Sequence, residues 1–259
     1  MKHLHFILCA LMATSASPLV AATRNESSYL KISADAAGGR ATLLDKQSGV
    51  TWDLGPGVDV AIFKDGRSVV IRRTATGKDG VRLLDGALEI ARSEEGCALV
   101  PAREGLLIPA DSDIEFTRSF GTSSYEGCHM NMMGFIKRGA ALLMTWDDAY
   151  IRPELVKTKT SLKCSVHAKR PPHCESATFS VTVTPLGRGD WNTIATAYRK
   201  IAERKGTAVT LATKIRRNPE VAKLLGASNA KLWTCLARRR NEDSTKDESV
   251  EVKWTFDEA

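Results

Sequence analysis

The stretch FSVTVTPLGRGDWNTIATAYRKIA, residues 179–202, contains the change of period that decides the fold. Over its first part Phe179, Val181 and Val183 fall on one face of an extended chain and Ser180, Thr182 and Thr184 on the other, the pattern of a half-buried strand. From Asp190 onward Ile194, Ala197, Tyr198, Ile201 and Ala202 recur at helical spacing. This predicts a helix with one apolar face, capped by Asp190 and closed by Gly206. A β region ends near Leu186, and a helical one follows.

Upstream, from Tyr29 to Leu186, short β-type runs are broken at close intervals by turn residues, with almost no helical periodicity. Val58, Val60 and Ile62 alternate with Asp59 and Ala61. Lys64-Asp65-Gly66-Arg67 then supplies an Asp-Gly turn before Val69 to Ile71 returns, which predicts a hairpin. A second hairpin is expected from Gly134 to Ile136, the turn Lys137-Arg138-Gly139 and the return Ala140 to Trp146. The expected class is mainly β, with a sandwich over residues 23–187.

Downstream, Asn218 as cap and Pro219 at the first helical position predict another helix through Val221, Leu224 and Leu225 to Gly226, so residues 188–226 read as a helical linker. Ala230 to Leu236 fits a buried strand opening an α/β unit over 227–259. The last five residues, Thr255 to Ala259, match a capping box. A helix start signal with no helix after it suggests a fragment, or the product of a shortened reading frame.

The chain has 259 residues, 43% of them hydrophobic, which is too apolar for disorder. Its 37 Lys and Arg against 30 Asp and Glu are interspersed through most of the chain, so no continuous nucleic-acid-binding face is expected. The first 22 residues read as a signal peptide, with Lys2, the apolar run Phe6 to Ala13 and Val20-Ala21-Ala22 before the cleavage point, and predict export to the periplasm or medium. No run approaches the ~20 apolar residues of a membrane span. Removing the leader leaves Cys97, Cys128, Cys164, Cys174 and Cys235, an odd number.

The segments Gly105 to Asp111 (GLLIPAD), Tyr125 to Met130 (YEGCHM), Ala140 to Asp148 (AALLMTWDD) and Gly226 to Asp243 (GASNAKLWTCLARRRNED) resemble bacterial glycosidases related to glycoside hydrolase families 101 and 129, which include α-N-acetylgalactosaminidases. The resemblance is strongest from about Gly105 onward. It implies a galactose-mutarotase-like β-sandwich, then linker helices, then a (β/α)8 barrel that carries catalysis. It also implies a glycan or glycoprotein substrate and no redox cofactor. A barrel needs about 250 residues, whereas 73 follow Leu186, so only its first strand is expected here. The two carboxyl groups of a retaining glycosidase, about 5 Å apart, are expected beyond Ala259. No catalytic residue is assigned within the chain, which by this reading does not hydrolyse glycosides alone.

Asp147 and Asp148 are neighbours on a strand, point to opposite faces and cannot converge on one sugar. Trp146, Asp147 and Asp148 remain candidates for sugar contact, by stacking and by accepting hydrogen bonds, against the alternative of a core Trp and a turn-capping Asp. Glu126 and His129 have the residue types of an acid/base pair, and a mutarotase-like epimerase is one alternative function; a loop that packs against a barrel is the blander reading. A stand-alone carbohydrate-binding sandwich is another alternative. Arg238, Arg239 and Asn241 lie where the loop after a first barrel strand would touch glycan. Cys164, His167, His173 and Cys174 have no standard zinc spacing. A disulfide between Cys164 and Cys174 across a nine-residue turn is one expectation, with free thiols and a metal site as alternatives, and no metal is assigned. Oligomeric state is not legible.

Overall fold

A computed structural model describes residues 25–34, 39–57, 60–62, 65–76, 80–121, 127–171, 174–224, 238–239 and 248–249. The leader (1–22), Ala230 to Leu236 and the final capping box lie outside them. The chain divides into two units, residues 1–207 and 208–259.

The first unit contains β1 (Leu30–Ala34), β2 (Arg40–Asp45), β3 (Val50–Pro56), β4 (Val60–Ile62), β5 (Val69–Ala75), β6 (Val81–Ala91) and β7 (Gly96–Val100). It continues with β8 (Leu106–Pro109), β9 (Phe116–Ser119), β10 (Met132–Lys137), β11 (Ala140–Trp146), β12 (Ile151–Lys157), β13 (Ser161–Ala168), β14 (Ala177–Arg188) and helix α1 (Trp191–Arg204). One sheet has seven strands in the order β4-β5-β14-β11-β10-β7-β8. A second has the order β6-β13-β12-β9, and a third is the meander β1-β2-β3.

These sheets close on one apolar core, as expected for a sandwich. The larger sheet contributes Ile71, Phe135, Leu142, Met144, Val181 and Val183. Leu84, Ile90, Leu155 and Val166 come from the four-stranded sheet, and Leu43, Trp52 and Leu54 from the meander. At Gly55 a Cβ would stand 2.8 Å from the carbonyl oxygen of Asp85 in β6, so glycine lets β3 run close beside that strand.

Both predicted hairpins form. β4 pairs with β5 in the register Val60↔Ile71 and Ile62↔Val69. β10 pairs with β11 through the two-residue turn Arg138-Gly139, whose φ angles of 50° and 71° are those of a type I′ turn, the hand that matches strand twist. β14 buries Phe179, Val181 and Val183, as its alternation predicts. β10 and β11 are buried on both faces, because α1 covers the outer side of the sheet there. β8 ends the larger sheet, and its Leu107, opposite Leu99, is 53% exposed.

The helix read as the start of a linker packs on the sandwich. Ile194 is fully buried against Met132, Ala141 and Leu143. Gly134 makes room for it, since a Cβ there would stand 2.8 Å from Ile194 Cγ2. Asp190 caps α1 as predicted: its carboxylate accepts from the Thr193 amide at 3.1 Å, and the Thr193 hydroxyl accepts from the Asp190 amide at 3.3 Å. At the other end Gly206 takes φ +71°, with Gly206 N–H donating to Glu203 O and Thr207 N–H to Ala202 O, a Schellman closure.

Hydrogen bonds from the Asn192 side chain and the Thr193 amide hold the Asp190 carboxyl below the ordinary carboxylate value. The fold therefore favours the ionised form. Its contribution is present above the unfolded pKa of about 3.9 and is lost as pH falls through the lowered folded value. Melting temperature is expected to decline less between neutral and acidic pH in Asp190→Asn, whose amide oxygen still caps, than in wild type.

In the second unit α2 (Leu211–Arg217) is capped by Thr210, and Pro219–Leu224 is a 3-10 helix. Asn218 does start the latter, its side-chain oxygen accepting from the Glu220 amide at 3.1 Å. The expected α-helix is thus a tighter 3-10 turn over the described residues, and α2 precedes it. α2 was missed because it buries no residue and is only seven residues long, with Leu211, Ala212 and Ile215 too short a pattern to read. β15 (Arg238–Arg239) pairs antiparallel with β16 (Glu248–Ser249).

Candidate functional site

The end of the β10–β11 hairpin away from its tight turn carries most of the described candidates. There the chain crosses from the larger sheet to the four-stranded one through Asp147 to Tyr150, beside His129 to Asn131. Trp146 N–H donates to Asn131 O at 3.3 Å, and His129 N–H to Pro101 O at 2.8 Å. Lys169 N–H donates to Tyr150 O at 3.3 Å, tying the crossing to the end of β13. Lys205, just past α1, forms an ion pair with the Asp147 carboxylate.

Trp146 is not a sugar platform. It is 3% exposed and lies on the core face of β11 with Leu142 and Met144, so its indole cannot meet a ligand from solution. Its Nε1 is buried without a hydrogen-bond partner. Asp148 is the turn-capping residue of the alternative reading: its carboxylate accepts from the Tyr150 amide at 2.7 Å, and its carbonyl accepts from Ile151 N–H at 3.2 Å. Asp147 is exposed and held by Lys205. β11 ends at Trp146, so Asp147 and Asp148 lie in the crossing and not on the strand expected of them, and their side chains serve different partners.

His129 is exposed. Glu126, the other half of the suggested acid/base pair, lies outside the described residues, as does Asn241. Arg238 and Arg239 form β15 in the second unit.

The suggested Cys164–Cys174 disulfide is corrected. Both are free thiols, Cys164 buried and Cys174 exposed. The nine residues between them are no hairpin turn, because β13 runs on to Ala168 and the chain then leaves for β14 in the other sheet. Cys164 faces the core, opposite Leu155 on β12 and Ala87 on β6. Burial pushes its thiol up, and pushes Cys128 up to about 12, so neither is a thiolate at neutral pH. Among the described residues no three His, Cys, Asp or Glu side chains cluster as metal ligands, and His173 lies outside them. No helix of the described residues is long and apolar enough to cross a membrane.

The surface thus offers a carboxylate at Asp147, an ammonium at Lys205, an imidazole at His129 and a phenol at Tyr150, which is 42% exposed. These groups suit hydrogen bonding to hydroxyls and stacking on a ring. Sequence reasoning passed over Tyr150 and Lys205. Period-2 alternation carried from Leu142 through Met144 puts Trp146 inside, which makes Tyr150 the available aromatic. Nothing local flags Lys205, since α1 brings it in from 58 residues away.

No protein-family model matches the sequence, and no curated protein matches it. Among solved structures the chain is similar to the ligand-free alpha-N-acetylgalactosaminidase NagBb from Bifidobacterium bifidum. The TM-score is 0.57 at 16% identity, over 79% of this chain and 42% of that one. The quadruple mutant of NagBb gives 0.56 at 16% identity over 78% and 42%, and its Gal-NHAc-DNJ complex 0.55 at 15% identity over 79% and 42%. This chain spans well under half the length of that glycosidase. At such identity the likeness is one of architecture: the chain shares the fold of part of an α-N-acetylgalactosaminidase.

Proposed function

We propose that residues 25–207 form the galactose-mutarotase-like sandwich of an exported glycoside hydrolase related to families 101 and 129, acting on α-linked N-acetylgalactosamine or a similar sugar. Residues from about 227 open a (β/α)8 barrel in this reading. The observation that carries it is the fold shared with an α-N-acetylgalactosaminidase over 79% of the chain. Likeness in the segments around Gly105–Asp111, Ala140–Asp148 and Gly226–Asp243 adds to it, and the first 22 residues support export. Hydrolysis belongs to a carboxylate pair outside the sandwich and needs no redox cofactor. The sandwich serves as a platform that contacts glycan or glycoprotein through Asp147, His129 and Tyr150.

The test is calorimetric titration of the 259-residue chain with methyl α-N-acetylgalactosaminide, together with an assay on the para-nitrophenyl glycoside. Saturable binding without nitrophenol release is expected. Tyr150→Ala should weaken binding by ~1 kcal/mol, roughly fivefold, for loss of one stacking face, and Asp147→Asn should also weaken it. Nitrophenol release by this chain would place the carboxylates within it and defeat the platform reading. Undiminished affinity in a folded Tyr150→Ala variant would remove the proposed surface.

A further inference from the structure

We propose that the groove between α1 and the β5–β14 flank of the larger sheet is a second carbohydrate site, selective for saccharides that carry sulfate or carboxylate groups. None of the residues Asp147 to Tyr150 lines it, so the inference is independent of the surface at the hairpin end.

The groove is open and encloses about 1110 Å³. Its floor is apolar, formed by Leu143 and Leu186 of the sheet and Ala197 and Ile201 of the helix. One wall presents the hydroxyls of Ser68 and Thr184, 3.0 Å apart, and the other presents Asn192 and Thr196. A pyranose has that same division, an apolar C–H face and a rim of hydroxyls that both donate and accept. Among the described residues no aromatic side chain lines the groove.

Charge narrows the ligand class. Arg67, Lys200 and Arg204 line the groove, and none of them is paired with a carboxylate among the described residues. Of the two acids present, Glu203 is taken by Arg199 at 2.8 Å, and Asp65 accepts from the Arg67 amide at 2.9 Å. Lys200 and Arg204 stand one helical turn apart, an arrangement of like charges that is unfavourable until an anion lies between them. The Arg67 guanidinium is held in place, 4.3 Å over the Tyr29 ring and donating to the Tyr29 hydroxyl at 2.9 Å. Three cations against two carboxylates, with Arg67 held on Tyr29 and Lys200 and Arg204 free to turn toward a ligand, complement an acidic sugar better than a neutral one.

The experiment is calorimetric titration of the whole chain with a chondroitin sulfate tetrasaccharide, its desulfated and carboxyl-reduced counterpart, which is neutral, and inorganic polyphosphate. The sulfated tetrasaccharide should bind at least about tenfold more tightly than the neutral one, and more weakly as sodium chloride is raised. Lys200→Ser/Arg204→Ser should cost about tenfold in affinity. Thr196→Trp, which fills the groove without changing charge, should abolish binding. Lys159→Ser/Lys163→Ser, which removes the same charge from the four-stranded sheet, should leave it unchanged, and circular dichroism should show all variants folded. Full affinity in the Lys200/Arg204 or Thr196 variant, an equal loss in the Lys159/Lys163 variant, or polyphosphate binding as tightly as the tetrasaccharide would overturn the proposal.

Discussion

Replacing Trp146 by alanine is expected to cost about 3–5 kcal/mol of folding stability, because truncating a buried indole loses its transfer energy and leaves a cavity the core only partly closes. In a domain of this size that is a fall of roughly 10–15 °C in Tm. The expectation follows from its position, 3% exposed beside Leu142 and Met144. The indole N–H has no acceptor, so Trp146→Phe breaks no hydrogen bond and should retain much of the stability. Urea denaturation followed by circular dichroism measures both variants. Sugar affinity in the folded Trp146→Phe protein should equal that of wild type. A Tm unmoved in Trp146→Ala, with binding lost, would return the indole to the surface.

A second large effect is expected where α1 meets the sheet. Ile194→Ala should cost about 2–5 kcal/mol, since this side chain anchors the helix in its own small core. Gly134→Ala should cost about 1–3 kcal/mol by overpacking. A new Cβ would stand 2.8 Å from Ile194 Cγ2, 2.9 Å from its Cδ1 and 3.2 Å from Leu99 Cβ. Backbone strain is not involved, because Gly134 is not among the residues at positive φ. The two costs share one cause of opposite sign, so the double variant should lose less than the sum of the singles. Strict additivity in the cycle would mean that residues 134 and 194 do not touch.

What the sequence made legible was local. An Asp-Gly turn, an Arg-Gly turn, an alternating strand and a capped amphipathic helix each carry their own signal within a dozen residues. The two hairpins, β14 and α1 were accordingly placed. Pairings such as Phe179↔Arg73 and Phe135↔Ala98 join segments far apart in the chain, and their register depends on which faces share a core, which no single segment states. The candidate site was read less well for the same reason. Asp147 and His129 do share one end of the sandwich, but Lys205 arrives only through the packing of α1. Trp146 has the residue type of a sugar platform, but its neighbours on β11 place it within the core, as the alternative reading of the sequence has it. Residue type says what a side chain can do, and strand parity says whether it has the opportunity.

The margin of the larger sheet at β8 bears on how this protein behaves in a tube. Four residues ending in Pro109 form the rim, and Leu107 stands out from them with no described neighbour lying outward of the strand. A rim that short offers a stray chain few backbone partners, and the proline withholds one more donor. Stickiness there would therefore come from two adjacent leucines, Leu106 and Leu107, rather than from a long ladder, and lysines in their places would be enough to keep separate molecules apart.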